Sequence, residues 1–294
     1  MLYKITHRTT YAYSSDVTVS QHVARLRPRD IEGQKCLSHE VVIAPSPAVA
    51  TQRLDYFGNV AVFFTMDAAH RELTVTAKSE VDLTAREWPS PEATPAWDSA
   101  LTEHDSFLPL EAYEYVYPSS YVPFLPALRE YAEPSFLKER PLLEAALDLT
   151  RRIFTEFKFD PAATTIATPI ETVLQKRRGV CQDFAHLQIG CLRALGMPAR
   201  YVSGYIETLP PPGKPKLIGA DASHAWLQLY VPKYGWVDLD PTNNTLATGR
   251  HITVAYGRDF EDVSPIRGVI AGGGKHLLNV SVDVSPVAES VSAE

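Results

Sequence analysis

Hydrophobic periodicity changes twice along this 294-residue chain, and the change restricts what it can fold into. Up to about residue 85 the period is two. Residues 2–10 alternate, 39–44 and 60–65 are β-branched and aromatic runs, and Leu73, Val75, Ala77 and Ser79 share one side of 73–83. A two-residue period puts alternate side chains on one face of a sheet. Between two of these runs lies 55–59, where Gly58 and Asn59 permit a tight turn. Short strands at this spacing predict an antiparallel β-sandwich over 1–87.

From residue 141 the period lengthens to that of a helix. Leu142, Ala146, Leu149, Ile153 and Phe157 form an apolar stripe behind Pro141, which suits a first helical turn. Thr168-Pro169-Ile170-Glu171 reads as a capping box with Thr168 at the N-cap and Glu171 at N3. A third helix runs from about Val180, with Phe184, Leu187, Cys191 and Leu195 on one face, and Gly196 and Pro198 end it. Period two then returns in 200–207, 224–231 and 236–240, with 232–235 as a turn and a late strand at 277–284. Helices followed by antiparallel strands predict an α+β core over 141–294, with a C-terminal strand extension. Between the two blocks, residues 88–140 combine recurrent prolines with Tyr113, Tyr115, Tyr117, Tyr121 and Phe124. This predicts a connector of short helices packed on the core through its aromatics.

Composition narrows the function classes. The chain is 45% hydrophobic, and 28 basic residues against 35 acidic ones leave a net charge of −7. Without a dense Lys/Arg run it is a poor nucleic-acid binder. No apolar run approaches the roughly 20 residues of a membrane helix, and the first 15 residues alternate instead of forming the apolar block of a signal peptide. Cys36, Cys181 and Cys191 are an odd number, which excludes a disulfide framework and predicts a reducing, cytoplasmic setting. There is no HExxH, no CxxC and no His pair at metal spacing, so neither metal nor cofactor is expected. Gly272, Gly273 and Gly274 lack a phosphate-loop context and read as a flexible turn.

Cys181 stands at the start of the third helix, behind Arg177 and Arg178. A helix N-terminus carries partial positive charge and free N–H groups, which favour the nucleophilic thiolate. Cys191 lies on the buried stripe and reads as inert core. A thiolate needs a base. In 224–231, Leu227, Leu229 and Val231 take the core face, which leaves His224 on the other face with Trp226, Gln228 and Tyr230. In 235–240, Trp236, Asp238 and Asp240 share that face. If Val231 pairs with Gly235, Asp240 is a diagonal neighbour of His224, able to orient its ring. Asp238 is the reserve for that role. Taken singly, each has a plainer reading: a buried thiol, a surface His–Asp pair. Together, in the order Cys181, His224, Asp240, they form the arrangement of papain-like catalysis.

Three motifs resemble the transglutaminase-like superfamily in its bacterial branch, often labelled cysteine proteases: Gly179-Val180-Cys181-Gln182-Asp183-Phe184-Ala185-His186, then Ser223-His224-Ala225-Trp226, then 235–242 through Asp240-Pro241-Thr242. Residues 200–205 and 257–260 extend the resemblance. Leu26-Arg27-Pro28-Arg29 and 55–59 resemble the β domain that precedes the core in that branch. The resemblance implies Cys181 as nucleophile, His224 as base and Asp240 as third member. It also implies attack on a carbonyl through a thioester, with a protein, peptide or small amide as substrate. The superfamily includes cross-linking transferases, peptidases and amidases, and a binding module on the same fold is the reading from another class. The backbone N–H of Cys181 is the natural oxyanion donor. His186, 140° around the helix from Cys181, reads as a structural hydrogen-bonding group, and Asp183 as a first-turn partner of the helix dipole. The proline-rich stretch from Leu209 to Pro215 reads as an extended loop at the rim of the cleft.

Overall fold

The computed structural model describes residues 1–102, 108–208, 223–247 and 249–287. In chain order, β1 (Leu2–Ala24), β2 (Gln34–Ala44), β3 (Val49–Leu54), β4 (Val60–Met66) and β5 (His70–Leu83) come first. Short helices follow: α1 (Trp97–Thr102), α2 (Leu110–Tyr113) and α3 (Pro126–Ala132). The core then runs α4 (Leu142–Glu156), β6 (Lys158–Phe159), α5 (Ile170–Lys176), β7 (Arg178–Gly179), α6 (Cys181–Ala194), β8 (Ala199–Ile206), β9 (Ser223–Val231), β10 (Gly235–Asp240), β11 (Thr245–Leu246) and β12 (His251–Gly257). The chain closes with α7 (Phe260–Val263), β13 (Ile266–Gly272) and β14 (His276–Pro286).

The N-terminal alternation is longer than residues 2–10 suggest: β1 is a single strand of 23 residues. It reaches across both halves of a curled antiparallel sheet. Its first half lies between β5 and β14, and its second half between β4 and β13, with a register break against β5 between Ala12 and Val17. That break is a bulge-type irregularity, which bends a strand and lets it change partners. Alternate residues of the sheet, with Val17, Phe64, Met66, Leu73 and Val75, close a core. Residues 266–286 therefore return to the sheet that residue 2 begins. Gly272, Gly273 and Gly274 make the β13–β14 turn with φ of +93°, +83° and +62°, which glycine adopts without strain. The turn at 55–59 forms as the sequence suggests: the Asp55 carboxylate accepts the N–H groups of Phe57 and Asn59, and Gly58 has φ +72°.

The second sheet is antiparallel, in the order β11-β10-β9-β8-β12, and α6 packs on β8 and β9. Leu187, Ile189 and Leu192 of the helix meet Leu227, Leu229, Val237 and Leu239 in the main core, so the α+β expectation holds. Two helix starts differ in detail. Pro141 is the N-cap of α4, outside its first turn. The N-cap of α5 is Pro169, with no side-chain cap, because the Thr168 hydroxyl instead accepts the N–H of Thr165 in the preceding turn. The end of α6 is as expected: Gly196 has φ +87° and the N–H of Met197 reaches back to the carbonyl of Leu192.

The segment at 88–140 is made of short helices whose aromatic rings pack on both sides. Tyr115 lies edge-on to Trp236, and Tyr121 stacks on His186 with centroids 5.5 Å apart. No helix among the described residues is long and apolar enough to cross a membrane.

Candidate active site

The start of α6 is built by its own sequence. Val180 is the extended N-cap, and the Asp183 carboxylate folds back to accept its N–H at 2.8 Å. The same carboxylate oxygen accepts the Thr164 hydroxyl at 2.6 Å. A Cβ on Gly179 would stand 2.6 Å from that oxygen, so only glycine leaves room for the cap. Burial pushes the Asp183 carboxyl up, and the two donors pull against it. The cap places Cys181 as the first helical residue, half-buried, while Cys36 and Cys191 are buried. Burial pushes the Cys36 and Cys191 thiols up, away from the reactive form. The flanking arginines pair elsewhere. Arg177 pairs with Glu156 and lies over the Tyr131 and Phe157 rings, and Arg178 pairs with Asp160, so both charges have partners of their own.

The hairpin register is the one that brings base and carboxylate together. Val231 faces Gly235, and Asp238 faces Gln228. The His224 Nε2 donates to Asp240 Oδ2 at 2.7 Å, and the Cys181 thiol is close enough to the His224 ring to interact with it. The structure thus brings all three sequence-predicted residues into one chain of contacts. Burial lowers the affinity of His224 for its proton, but the hydrogen bonds to Asp240 and Cys181 outweigh that and raise its pKa to about 10. Burial likewise pushes the Asp240 carboxyl up, and the two imidazoles it accepts from overcome this, holding it well below the usual carboxylate range. An ionised carboxylate only accepts hydrogen bonds, so the proton lies on His224 Nε2.

Asp238, the reserve for Asp240, is committed elsewhere. Its carboxylate accepts Trp226 Nε1 at 2.7 Å, Gln228 Nε2 at 2.8 Å and Arg86 at 3.3 Å, and burial pushes its pKa up. Trp226 is fully buried, stacked on His224 and edge-on to His251. Gly204, opposite His224 on β8, makes room for that indole: a Cβ there would lie 2.5 Å from it.

Two members of the site were not found from the sequence. His251 Nε2 donates to the same Asp240 oxygen at 3.0 Å. Asn243 donates its amide to Asp240 Oδ2 at 2.6 Å, and the backbone N–H groups of Thr242 and Asn243 donate to Oδ1. His224, Asp240 and His251 bring three ligand-type atoms within 4.8 Å of one another, although no His pair at metal spacing is visible in the sequence.

His186 is the structural group expected of it. Its Nε2 accepts the N–H of Phe260, between the rings of Tyr121 and Tyr201, and burial lowers its pKa to about 3. The rim loop expected at 209–215 lies outside the described residues.

Comparison with known proteins places the chain in a family. Residues 129–241 match the transglutaminase-like superfamily, and residues 3–82 match the bacterial transglutaminase-like N-terminal region. An uncharacterised protein of Mycobacterium tuberculosis is 43% identical over 293 residues, covering 97% of this chain and 92% of that one. A protein-glutamine gamma-glutamyltransferase of Pseudomonas aeruginosa is 32% identical over 102 residues, 32% of this chain and 15% of that enzyme. Among solved structures, a candidate cysteine protease from Cytophaga hutchinsonii superimposes with a TM-score of 0.78 at 22% identity, covering 99% of this chain and 92% of that one. At that identity the likeness shows the fold.

Proposed function

Because the chain belongs to the bacterial branch of the transglutaminase-like superfamily, we propose that it is a thiol-dependent acyltransferase or amide hydrolase. Cys181 is the nucleophile, His224 the acid–base group and Asp240 the carboxylate that orients it. The observation that carries this reading is the contact chain from the half-buried sulfur through His224 to Asp240, at 2.7 Å on the carboxylate side.

The chemistry follows from these positions. The Cys181 sulfur attacks the carbonyl carbon of an amide, and the negative charge moves to oxygen, where the backbone N–H of Cys181 at the helix start is the donor to hand. His224 gives its proton to the amide nitrogen, the C–N bond breaks and the amine or ammonia leaves, with a thioester on Cys181. Water or a primary amine then attacks the thioester, loses a proton to His224 and restores the thiol. Asp240 keeps the ring aimed at the sulfur through both steps and stabilises its cation.

The sequence likeness to the Pseudomonas enzyme makes a glutamine side-chain amide the first acyl donor to try. Ammonia release from a glutamine-containing peptide should be thiol-dependent, and an added primary amine should divert the product to a new amide if transfer is the reaction. A free carboxylate as sole product, at every amine concentration, would identify a hydrolase. Turnover that survives Cys181→Ala would end the proposal.

A further inference from the structure

Asp240 is wholly buried and accepts from two imidazoles on one oxygen: His224 of β9 and His251 of β12. A carboxylate with one donor per oxygen can still swing about its last torsion. Here Oδ2 is bracketed by two rings and the Asn243 amide, and Oδ1 is held by two backbone N–H groups. Trp226 packs against both rings, with its centroid 5.9 Å from that of His224 and 5.2 Å from that of His251. His251 thus fixes the group that fixes the base.

The strand that carries His251 is held on one side by β8 and on the other from the N-terminal region. β12 is an edge strand of the catalytic sheet, and an edge leaves backbone donors and acceptors unmatched. Two side-chain amides from the N-terminal sheet fill that role. Gln34 donates to the carbonyl of Thr253 and accepts its N–H, both at 2.8 Å. Asn59 donates to the carbonyl of Tyr256 at 2.8 Å and accepts its N–H at 2.9 Å. Each amide copies the paired bonds of a neighbouring strand, one on either side of the register break between Thr253 and Ala255. Both amides are buried, so losing either would leave backbone groups unsatisfied. A cavity of only about 30 Å³ separates Glu32, Gly33 and Gln34 from Trp226, Asp238 and His251.

We propose that His251 is a positioning residue of the Cys181–His224–Asp240 site, and that the Gln34 and Asn59 clasp makes the N-terminal sheet a structural part of that site. The inference rests on the catalytic reading above. Among the described residues, the charged and titratable groups facing His251 include Asp240 from β10 and His224 from β9, with Arg86, Asp238 and Glu32 around the cavity.

The test is the rate at which iodoacetamide alkylates Cys181 across pH, which needs no substrate, in the full-length protein and four variants with matched thermal melts. His224→Ala is the control and should slow Cys181 at neutral pH and change the profile. His251→Ala should do the same to a smaller degree, about tenfold. His251→Gln, whose side-chain N–H reaches toward the same oxygen, should restore most of the rate. Gln34→Leu should follow His251→Ala in direction with a severalfold effect. Where an amide substrate turns over, kcat should fall for His251→Ala with little change in KM. A His224-dependent rate that His251→Ala leaves untouched would overturn the positioning role while the triad stands. Equal slowing by His251→Ala and His251→Gln, in step with lowered melts, would reduce His251 to a packing residue. A rate indifferent to His224 would sink the catalytic reading, and the inference with it.

Discussion

The polar face of the catalytic sheet carries two networks side by side, and they behave differently. At one end, Asp240 holds His224 and His251, and His224 reaches the half-buried sulfur of Cys181. At the other, two residues back along β10, Asp238 holds Trp226, Gln228 and Arg86, and Gln228 in turn accepts Arg200 at 2.7 Å. Both carboxylates are buried, yet Asp240 is held low and Asp238 is pushed up. Burial raises both. What separates them is the donors: two imidazoles beside the Asn243 amide on one side, against an indole and an amide with a longer Arg contact on the other. In the proposed mechanism the first network takes the proton from the thiol and gives it to the leaving amine. The second satisfies buried polar groups and holds the hairpin in register.

The largest effects should come from the first network. Cys181→Ala should abolish turnover, on the order of 10⁶ in kcat/KM where a full triad operates. His224→Ala should be nearly as severe, because the leaving amine loses its acid. Asp240→Asn should cost less, on the order of 10²–10⁴, since the ring remains but is poorly oriented. Losses in this group should not add, and a double variant worse by the product of its singles would break the idea of a single unit.

Acidity separates the networks next. His224 holds its proton up to about pH 10 when folded, against about 6.5 in an unfolded chain. Its charged form therefore stabilises the fold fully below about pH 6.5, and that contribution fades as pH rises through 10. Thermal melts should decline across this window in the wild type and less steeply in His224→Gln. Parallel curves for the two proteins would mean that His224 is neutral in the fold. Activity should fall along the same alkaline limb as the general acid is lost.

The second network should answer in stability. Asp238→Asn should lower stability by about 1–3 kcal/mol through imperfectly satisfied buried partners, with turnover per folded molecule kept within a few-fold. A thousandfold loss at unchanged stability would move Asp238 into the chemistry. Smallest is Cys191→Ala, which should cost about 1 kcal/mol and leave catalysis alone, since Cys191 is fully buried in the core.

The legible parts of the site are those whose signals are local. The helix start near Val180 and the Val231–Gly235 hairpin register are both set by residues within a few positions of one another, whereas the Asp183 back-bond to Val180, read from the sequence only as a dipole partner, and the packing of α6 on β9 show in the structure alone. His251 was not legible. β12 is buried along its whole length, so it shows no alternation to mark one face. Its role depends on Gln34 and Asn59, roughly two hundred residues earlier in the chain. The return of β13 and β14 to β1 is long-range in the same way. Charge near a thiol in sequence says nothing about the carboxylates that Glu156 and Asp160 bring to Arg177 and Arg178.

The nucleophile is the claim on which the rest depends. The direct measurement treats the native protein with iodoacetamide for increasing times, then reads turnover and the modification of each cysteine by peptide mapping from the same samples. The account predicts that activity falls one-to-one with alkylation of Cys181 while Cys36 and Cys191, both buried, stay unmodified. Full turnover on protein whose Cys181 is completely alkylated would contradict it.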